Sequence, residues 1–354
     1  MKKIAVICNY PLLSDRIGGM DRFFWLFDKQ CKANHFEINW YFSDEAIYEG
    51  YSELKIFSSN NLKLESFFLQ KIKSEDLNYD YVITHFVELC TLFFKEIKKI
   101  YPSKIICIDH NPRPLEGFPI IKKIKNALKG ILYSQHIDQF VGVSKYTKKH
   151  ILKDYGFYLN NKTIVIYNGI DTSVFFKKNN DNKNKFYVAS HLRESKGIQD
   201  LLKALNLLES EVKNQIIIDI YGEGPLENYL KKMSDDFNLN EIVYFKGSSS
   251  KLNEIAFNYN YLLQPTHMEC FSLSILESLA ANVPVITTTV GGNLEVVTNN
   301  ENGFIFEPKN IYQLTDILKN IVSEKIKIEI KVNTLIENEF NLDKMVQNHL
   351  ALLI

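Results

Sequence analysis

The sequence is poor in several things, and each scarcity narrows what the chain can be. Five cysteines among 354 residues (Cys8, Cys31, Cys90, Cys107, Cys270) form no Cys-x-x-Cys pair and are odd in number. That excludes a disulfide framework and a zinc ribbon, and reads as buried thiols in a reducing, cytoplasmic setting. No apolar stretch approaches the roughly 18 uninterrupted residues of a membrane span. The first apolar run, Ile4–Cys8 behind Lys2 and Lys3, is far shorter than a signal-peptide core. Net charge is absent too, with 42 Lys and Arg against 42 Asp and Glu, so no polycationic surface is available for nucleic acid. Arginine is the rarest cation: only Arg16, Arg22, Arg113 and Arg193, three of them in loops after expected strands.

What is present is enough apolar sequence for two cores. At 45% hydrophobic and 24% charged residues, a chain of this length suits two domains better than one. Short continuous apolar runs of the kind buried on both faces of a parallel sheet recur along it. They are Ile4–Cys8, Ile38–Phe42, Tyr81–Thr84, Ile105–Ile108, Gln139–Val143 and Thr163–Ile166, then Phe186–Ala189, Ile216–Tyr221, Ile242–Phe245, Tyr261–Leu263, Val285–Thr287 and Phe304–Phe306. Helical stretches separate most of them, such as Asp21–Gln30, Gly197–Leu208 and Leu273–Ala281. Alternation of this kind predicts doubly wound parallel sheets. Lys177–Lys185, without one apolar residue, marks a linker or exposed loop between the two series. The expected fold class is therefore α/β, with two Rossmann-like domains facing a cleft: residues 1–173, 174–338, and a closing segment 339–354. Charge divides unevenly, 24 basic against 19 acidic through residue 172 and 18 against 23 beyond.

Ligands of such sheets bind beyond the carboxyl ends of the strands. After Tyr261–Leu263, Glu269 lies in a loop and Glu277 about one turn into the helix that follows. The backbone amides of Phe271, Ser272 and Leu273 then stand at a helix N-terminus, a ready cradle for phosphate. An anion cradle flanked by two hydroxyl-binding carboxylates suits a nucleotide sugar; two unrelated glutamates on a solvated helix face is the plainer alternative. Upstream, Arg193 and Lys196 close a strand and open a helix, one offering a planar fork and the other a point charge to phosphate oxygens. Gly222 and Gly224, before Pro225, permit close backbone approach after another strand. They do not make a dinucleotide fingerprint. His and Asp/Glu are scattered, and no Asp-x-Asp follows a strand, so no metal site is expected.

Taken together these loops resemble the retaining glycosyltransferases of family 4, with the GT-B architecture. The resemblance runs through Gly18-Gly19-Met-Asp21, His110, Val143–Thr147, Asn168–Asp171, Arg193…Lys196-Gly197, Gly222–Pro225, Glu269…Glu277, Pro284–Ile286 and Gly291–Glu295. It implies that Arg193 and Lys196 hold the donor diphosphate, that Glu269 lies near the donor sugar, and that Glu277 binds the ribose hydroxyls. It likewise implies that Gly18 and Gly19 approach the donor phosphates from the first domain and that His110 lies near the reacting sugar. The closing segment, apolar at helical spacing, returns to the N-terminal domain. Two positions often glycine beside the first glutamate are Cys270 and Ser272 here, and His191 stands where arginine is common.

The expected activity is metal-independent transfer, with retention implied by the resemblance. A sugar would move from a nucleotide donor (UDP-sugar ahead of GDP-sugar) to a cell-surface glycan or lipid-linked acceptor, with no cofactor. The alternative is a non-catalytic scaffold or partner subunit of an active transferase, against which the retained Lys196, Glu269 and Glu277 argue; an epimerase fits the 269–295 segment less well. Around the site, Arg16 and Arg113 are open as ligands, and His85 competes with His110. His35 packs or caps. Segment 118–133 interleaves Lys122, Lys123, Lys125 and Lys129 with apolar residues. It is either an interfacial helix drawn to an anionic membrane or an ordinary amphipathic helix covering the sheet.

Overall fold

The computed structural model describes residues 1–14, 17–60, 62–177, 184–329 and 331–353. Arg16 and most of the polar 177–185 stretch therefore lie outside the described residues. The chain divides into two compact units, Met1–Asn168 with Leu342–Ile354, and Gly169–Asn341. The sequence placed these breaks at 173/174 and 338/339. The observed ones follow a parallel bridge from Ile170 to Asn341, with Ile170 N–H donating to the Phe340 carbonyl at 3.0 Å, which keeps both strand-like ends in the second unit.

The first unit is built on a parallel sheet of seven strands: β1 (Lys3–Cys8), β2 (Glu37–Phe42), β3 (Ile56–Ser58), β4 (Tyr81–His85), β5 (Lys104–Asp109), β6 (Gln139–Gly142) and β7 (Thr163–Val165). Their order is β3-β2-β1-β4-β5-β6-β7. The second has six: β8 (Lys185–Ala189), β9 (Ile217–Tyr221), β10 (Val243–Gly247), β11 (Tyr261–Gln264), β12 (Val285–Thr288) and β13 (Gly303–Phe306), ordered β10-β9-β8-β11-β12-β13. The central strands are solid apolar segments because helices cover both faces, as in Ile4–Cys8, which is wholly buried. Only β3 escaped the sequence reading; it is a three-residue edge strand, half-buried, with no continuous apolar run.

In each sheet the chain winds outward to one side, then returns to the middle and winds to the other. The reversal falls between β1 and β4 in the first unit and between β8 and β11 in the second. Loops leaving the two central strands diverge there and open a crevice.

The helix Leu342–Leu350 belongs to the first unit. His349 packs on the ring of Phe23 at 4.8 Å, while the Leu352 and Leu353 carbonyls accept from Lys104 Nζ at 2.8 Å and Tyr81 OH at 2.6 Å. All five cysteines are buried, and no disulfide forms among the described residues. The helix Ile120–Tyr133 corrects the reading in which its apolar side covers the sheet: its buried residues are Asn126 and Gly130, and its large aliphatic side chains are exposed.

Candidate active site

The loop after β8 and the loop after β11 meet at the switch of the second sheet. Gly197, at φ 69°, has no room for a side chain because a Cβ would fall 1.8 Å from the Pro265 carbonyl oxygen. The Ser195 carbonyl accepts from His267 N–H at 2.8 Å and from Thr266 Oγ1 at 3.1 Å. His267 Nε2 lies 2.6 Å from Asp200 Oδ2. Burial alone would raise the Asp200 carboxyl, yet the hydrogen bond and charge of His267 hold it below its ordinary value. So clasped, the loops place Lys196 Nζ 2.8 Å from Glu269 Oε2, each side chain only 14% and 13% exposed.

Beyond Glu269 the helix Leu273–Ala280 starts at Ser272, whose Oγ accepts from Ile275 N–H at 3.4 Å. The amides at its first turn have no acceptor within the helix and point to the same end of the sheet as Lys196. Phe271 is buried against the ring of Phe340, with centroids 5.6 Å apart. Glu277 is partly buried on this helix, and its charge adds to the burial that pushes the Tyr187 phenol of β8 upward.

The start of that helix rests on polar groups that residue patterning did not single out. Gln264 Nε2 donates to Ser272 Oγ and, at 3.2 Å, to Ser274 Oγ; its Oε1 accepts from Thr287 Oγ1 at 2.9 Å and from Asn293 Nδ2 at 3.4 Å. The usable signal was Gln264 itself, an amide closing an otherwise apolar strand. Next to it, Gly291 (φ 66°) passes so close to Glu269 that a Cβ would stand 2.3 Å from the Glu269 carbonyl oxygen.

Other expected site residues fall differently. Arg193 is exposed at the mouth of the loop, with no carboxylate partner among the described residues. At Gly222 (φ 133°) and Gly224 the close neighbour is the chain itself: Cβ atoms would lie 1.9 Å from the Ser190 and 2.5 Å from the Leu192 carbonyl oxygens. Packing of the loop after β9 on the loop after β8 thus suffices to require both glycines.

In the first unit, Gly18 caps the helix Gly19–Ala33, and its N–H donates to Asp21 Oδ2 at 2.8 Å. The buried Asp21 also accepts from Tyr10 OH at 3.1 Å and Tyr51 OH at 2.6 Å, which anchors the glycine turn. His85 closes β4 and His110 follows β5, their Nδ1 and Nε2 atoms 3.0 Å apart. His110 stacks on Phe86 at 4.2 Å, and His349 lies 6.1 Å from the His85 ring. Burial pushes His110 down to about 3 and His349 to about 4, and drives His85 well below its ordinary value, so all three are neutral imidazoles near neutral pH. His85 and His110 are thus partners rather than competitors. Arg113 is structural: buried, it donates from Nε to Asp154 at 2.8 Å and from Nη2 to Asp109 at 2.8 Å, fixing the turn that carries His110.

The family model described as "Glycosyl transferases group 1" matches residues 170–341, and that described as "Glycosyltransferase Family 4" matches 47–174. An O-antigen biosynthesis glycosyltransferase of Escherichia coli, WclY, is 22% identical over 332 residues, 90% of this chain and 89% of that protein. An uncharacterized glycosyltransferase of Methanocaldococcus jannaschii is 27% identical over 58% of this chain, and the N-acetyl-alpha-D-glucosaminyl L-malate synthase of Bacillus anthracis 28% over 42%. The chain spans about half the length of these last two, 56% and 41%. Among solved structures, Anabaena HepE in complex with UDP superposes with a TM-score of 0.79 at 16% identity, over 100% of this chain and 99% of that one. A lipopolysaccharide outer core galactosyltransferase, WaaB, gives 0.74 at 18%, over 99% of each chain. With two parallel-sheet Rossmann-like units of the GT-B type and matching models along 47–341, this chain belongs to the group 1 glycosyl transferases, in family 4.

Proposed function

We propose that this protein is a retaining, metal-independent glycosyltransferase. It moves a sugar from a nucleotide-sugar donor, a UDP-sugar ahead of a GDP-sugar, to a cell-surface glycan or lipid-linked acceptor in the cytoplasm. The observation that carries the reading is the Lys196–Glu269 pair at the switch of the second sheet, directly before the amides that open the helix Leu273–Ala280. Sugar departure leaves negative charge on the diphosphate while the anomeric carbon turns oxocarbenium-like. A fixed ammonium and a helix N-terminus aimed at that charge stabilise the transition state without reorganising. Glu269, at 2.8 Å from Lys196, is suited to the boundary between phosphate and sugar. Glu277, farther along the helix, is suited to ribose hydroxyls. Arg193 adds an exposed cation at the loop mouth, and neutral His110 in the first unit is suited to hydrogen-bonding rather than charge. HepE's complex with UDP supports the choice of donor, and the naming of WclY supports a glycan product.

The test is thermal unfolding with UDP, GDP, ADP and their sugars, since a ligand that binds only the folded state raises the midpoint. A shift with one nucleotide series, followed by turnover that persists in EDTA and a product with the donor's anomeric configuration by NMR, is the expected result. Silence across the whole panel would leave the scaffold reading in its place.

A further inference from the structure

The helix Ile120–Tyr133 is amphipathic in the wrong sense for a core helix. At about 100° per residue, Ile120, Ile121, Ile124, Leu128, Ile131 and Leu132 fall on one arc about 120° wide. They are 72%, 70%, 56%, 53%, 65% and 55% exposed. The opposite side holds Asn126 and Gly130, its two buried residues. A Cβ on Gly130 would lie 1.9 Å from the Tyr155 carbonyl oxygen, so this small-residue face is seated tightly on the helix Lys145–Tyr155. A surface helix ordinarily turns its apolar stripe to the core, and a contiguous exposed stripe of this size marks an interaction surface.

Its surroundings select the partner. Residues 118–133 contain four lysines and no acid. Lys122 stacks over the Phe118 ring at 3.8 Å, and among the described residues Lys122, Lys123 and Lys125 have no carboxylate partner, while Lys129 pairs with Glu88 at 2.5 Å. Phe157 and Tyr158 are 73% and 60% exposed, and Tyr158 OH lies 3.3 Å from Ser134 Oγ, which sets this aromatic pair beside the end of the helix. Aliphatic stripe, flanking lysines with long apolar stems and an adjoining aromatic pair are what a headgroup–acyl boundary takes up. A second copy on the same stripe would set lysine against lysine.

We infer that this stripe docks on an anionic lipid bilayer, lying in its interface with the lysines among the headgroups. The docking rests on exposure and charge alone. Its use, to bring a lipid-linked acceptor to the unit carrying His110 ten residues before the helix, rests on the proposed transfer.

The experiment is co-sedimentation of the full chain, without any nucleotide sugar, with phosphatidylcholine vesicles and with vesicles containing phosphatidylglycerol. Binding is expected only to the anionic vesicles and should weaken with salt. Ile121→Ser/Ile124→Ser/Leu128→Ser should abolish it while circular dichroism and thermal midpoint stay native. Lys122→Gln/Lys125→Gln should lower partitioning about thirtyfold. Absence of binding, equal binding to both vesicles, or a soluble dimer broken by the serine triple variant would each overturn the inference. None of these results bears on nucleotide-induced stabilisation, so the two readings fail separately.

Discussion

Lys196 and Glu269 are 73 residues apart in the chain, yet their side chains meet at 2.8 Å across the reversal point of the second sheet. That contact joins a cation suited to phosphate with an acid suited to sugar hydroxyls. Replacing Lys196 by Ala should lower kcat/KM by about 10²–10³, the usual loss when one preorganised charge donor is removed. Stability should fall by no more than about 2 kcal/mol, since Glu269 is left unpaired but still reaches solvent. Steady-state kinetics beside urea unfolding checks both halves; near-native turnover in a folded variant would remove Lys196 from the diphosphate.

Glu277→Gln should act on binding instead. A carboxylate that holds the ribose does so equally in ground and transition states, so KM for the donor should rise by about tenfold or more with kcat little changed. A fall in kcat at constant KM would move Glu277 from the ribose to the reacting sugar.

Gly197→Ala tests the clasp that creates the pair. The added Cβ meets the Pro265 carbonyl at 1.8 Å in a backbone at φ 69°, so the loop must shift. The expected cost is about 2 kcal/mol or more in unfolding free energy, with a loss of kcat/KM because Lys196 is displaced. Unfolding and kinetics of one preparation suffice, and unchanged stability would contradict the packing described.

The buried histidines make stability pH-dependent with a definite sign. His110 and His349 are held at about 3 and about 4 when folded, below the unfolded value of about 6.5. The unfolded chain therefore takes up protons first as pH falls. Their contribution is intact above the unfolded value and is lost progressively from there down to the folded values. Between pH 7.5 and 5.5 each should withdraw about 1 kcal/mol. His349→Leu should reduce that fall by about 1 kcal/mol in urea titrations at the two pH values. An acid response unchanged by the substitution would show that His349 is not a source of it.

Much of this molecule was legible in its residues. Twelve of the thirteen strands among the described residues coincide with largely apolar segments of the sequence, since a strand covered on both faces shows few polar side chains, and the one that escaped, β3, is a short half-buried edge. The loop residues Lys196 and Glu269 stood out because charged side chains directly after apolar strands have few structural duties. Gln264, Thr287 and Asn293 did not, since a single buried amide or hydroxyl looks like any other until its partners are known. Arg113 stayed open for the same reason: a scarce arginine after a strand is equally suited to a ligand and to two buried aspartates, and Asp154, 41 residues away, is what decides.

Period and polarity by themselves determined the sheets, the alternating helices, and the stripe of aliphatic residues along 120–132. Local patterning reaches that far because each strand or helix must segregate its own apolar face. Tertiary structure alone decided which way the stripe points. Gly130 lets its helix sit on the Tyr155 carbonyl, so the small-residue face turns inward and the aliphatic one outward, a choice that depends on a backbone contact 25 residues distant.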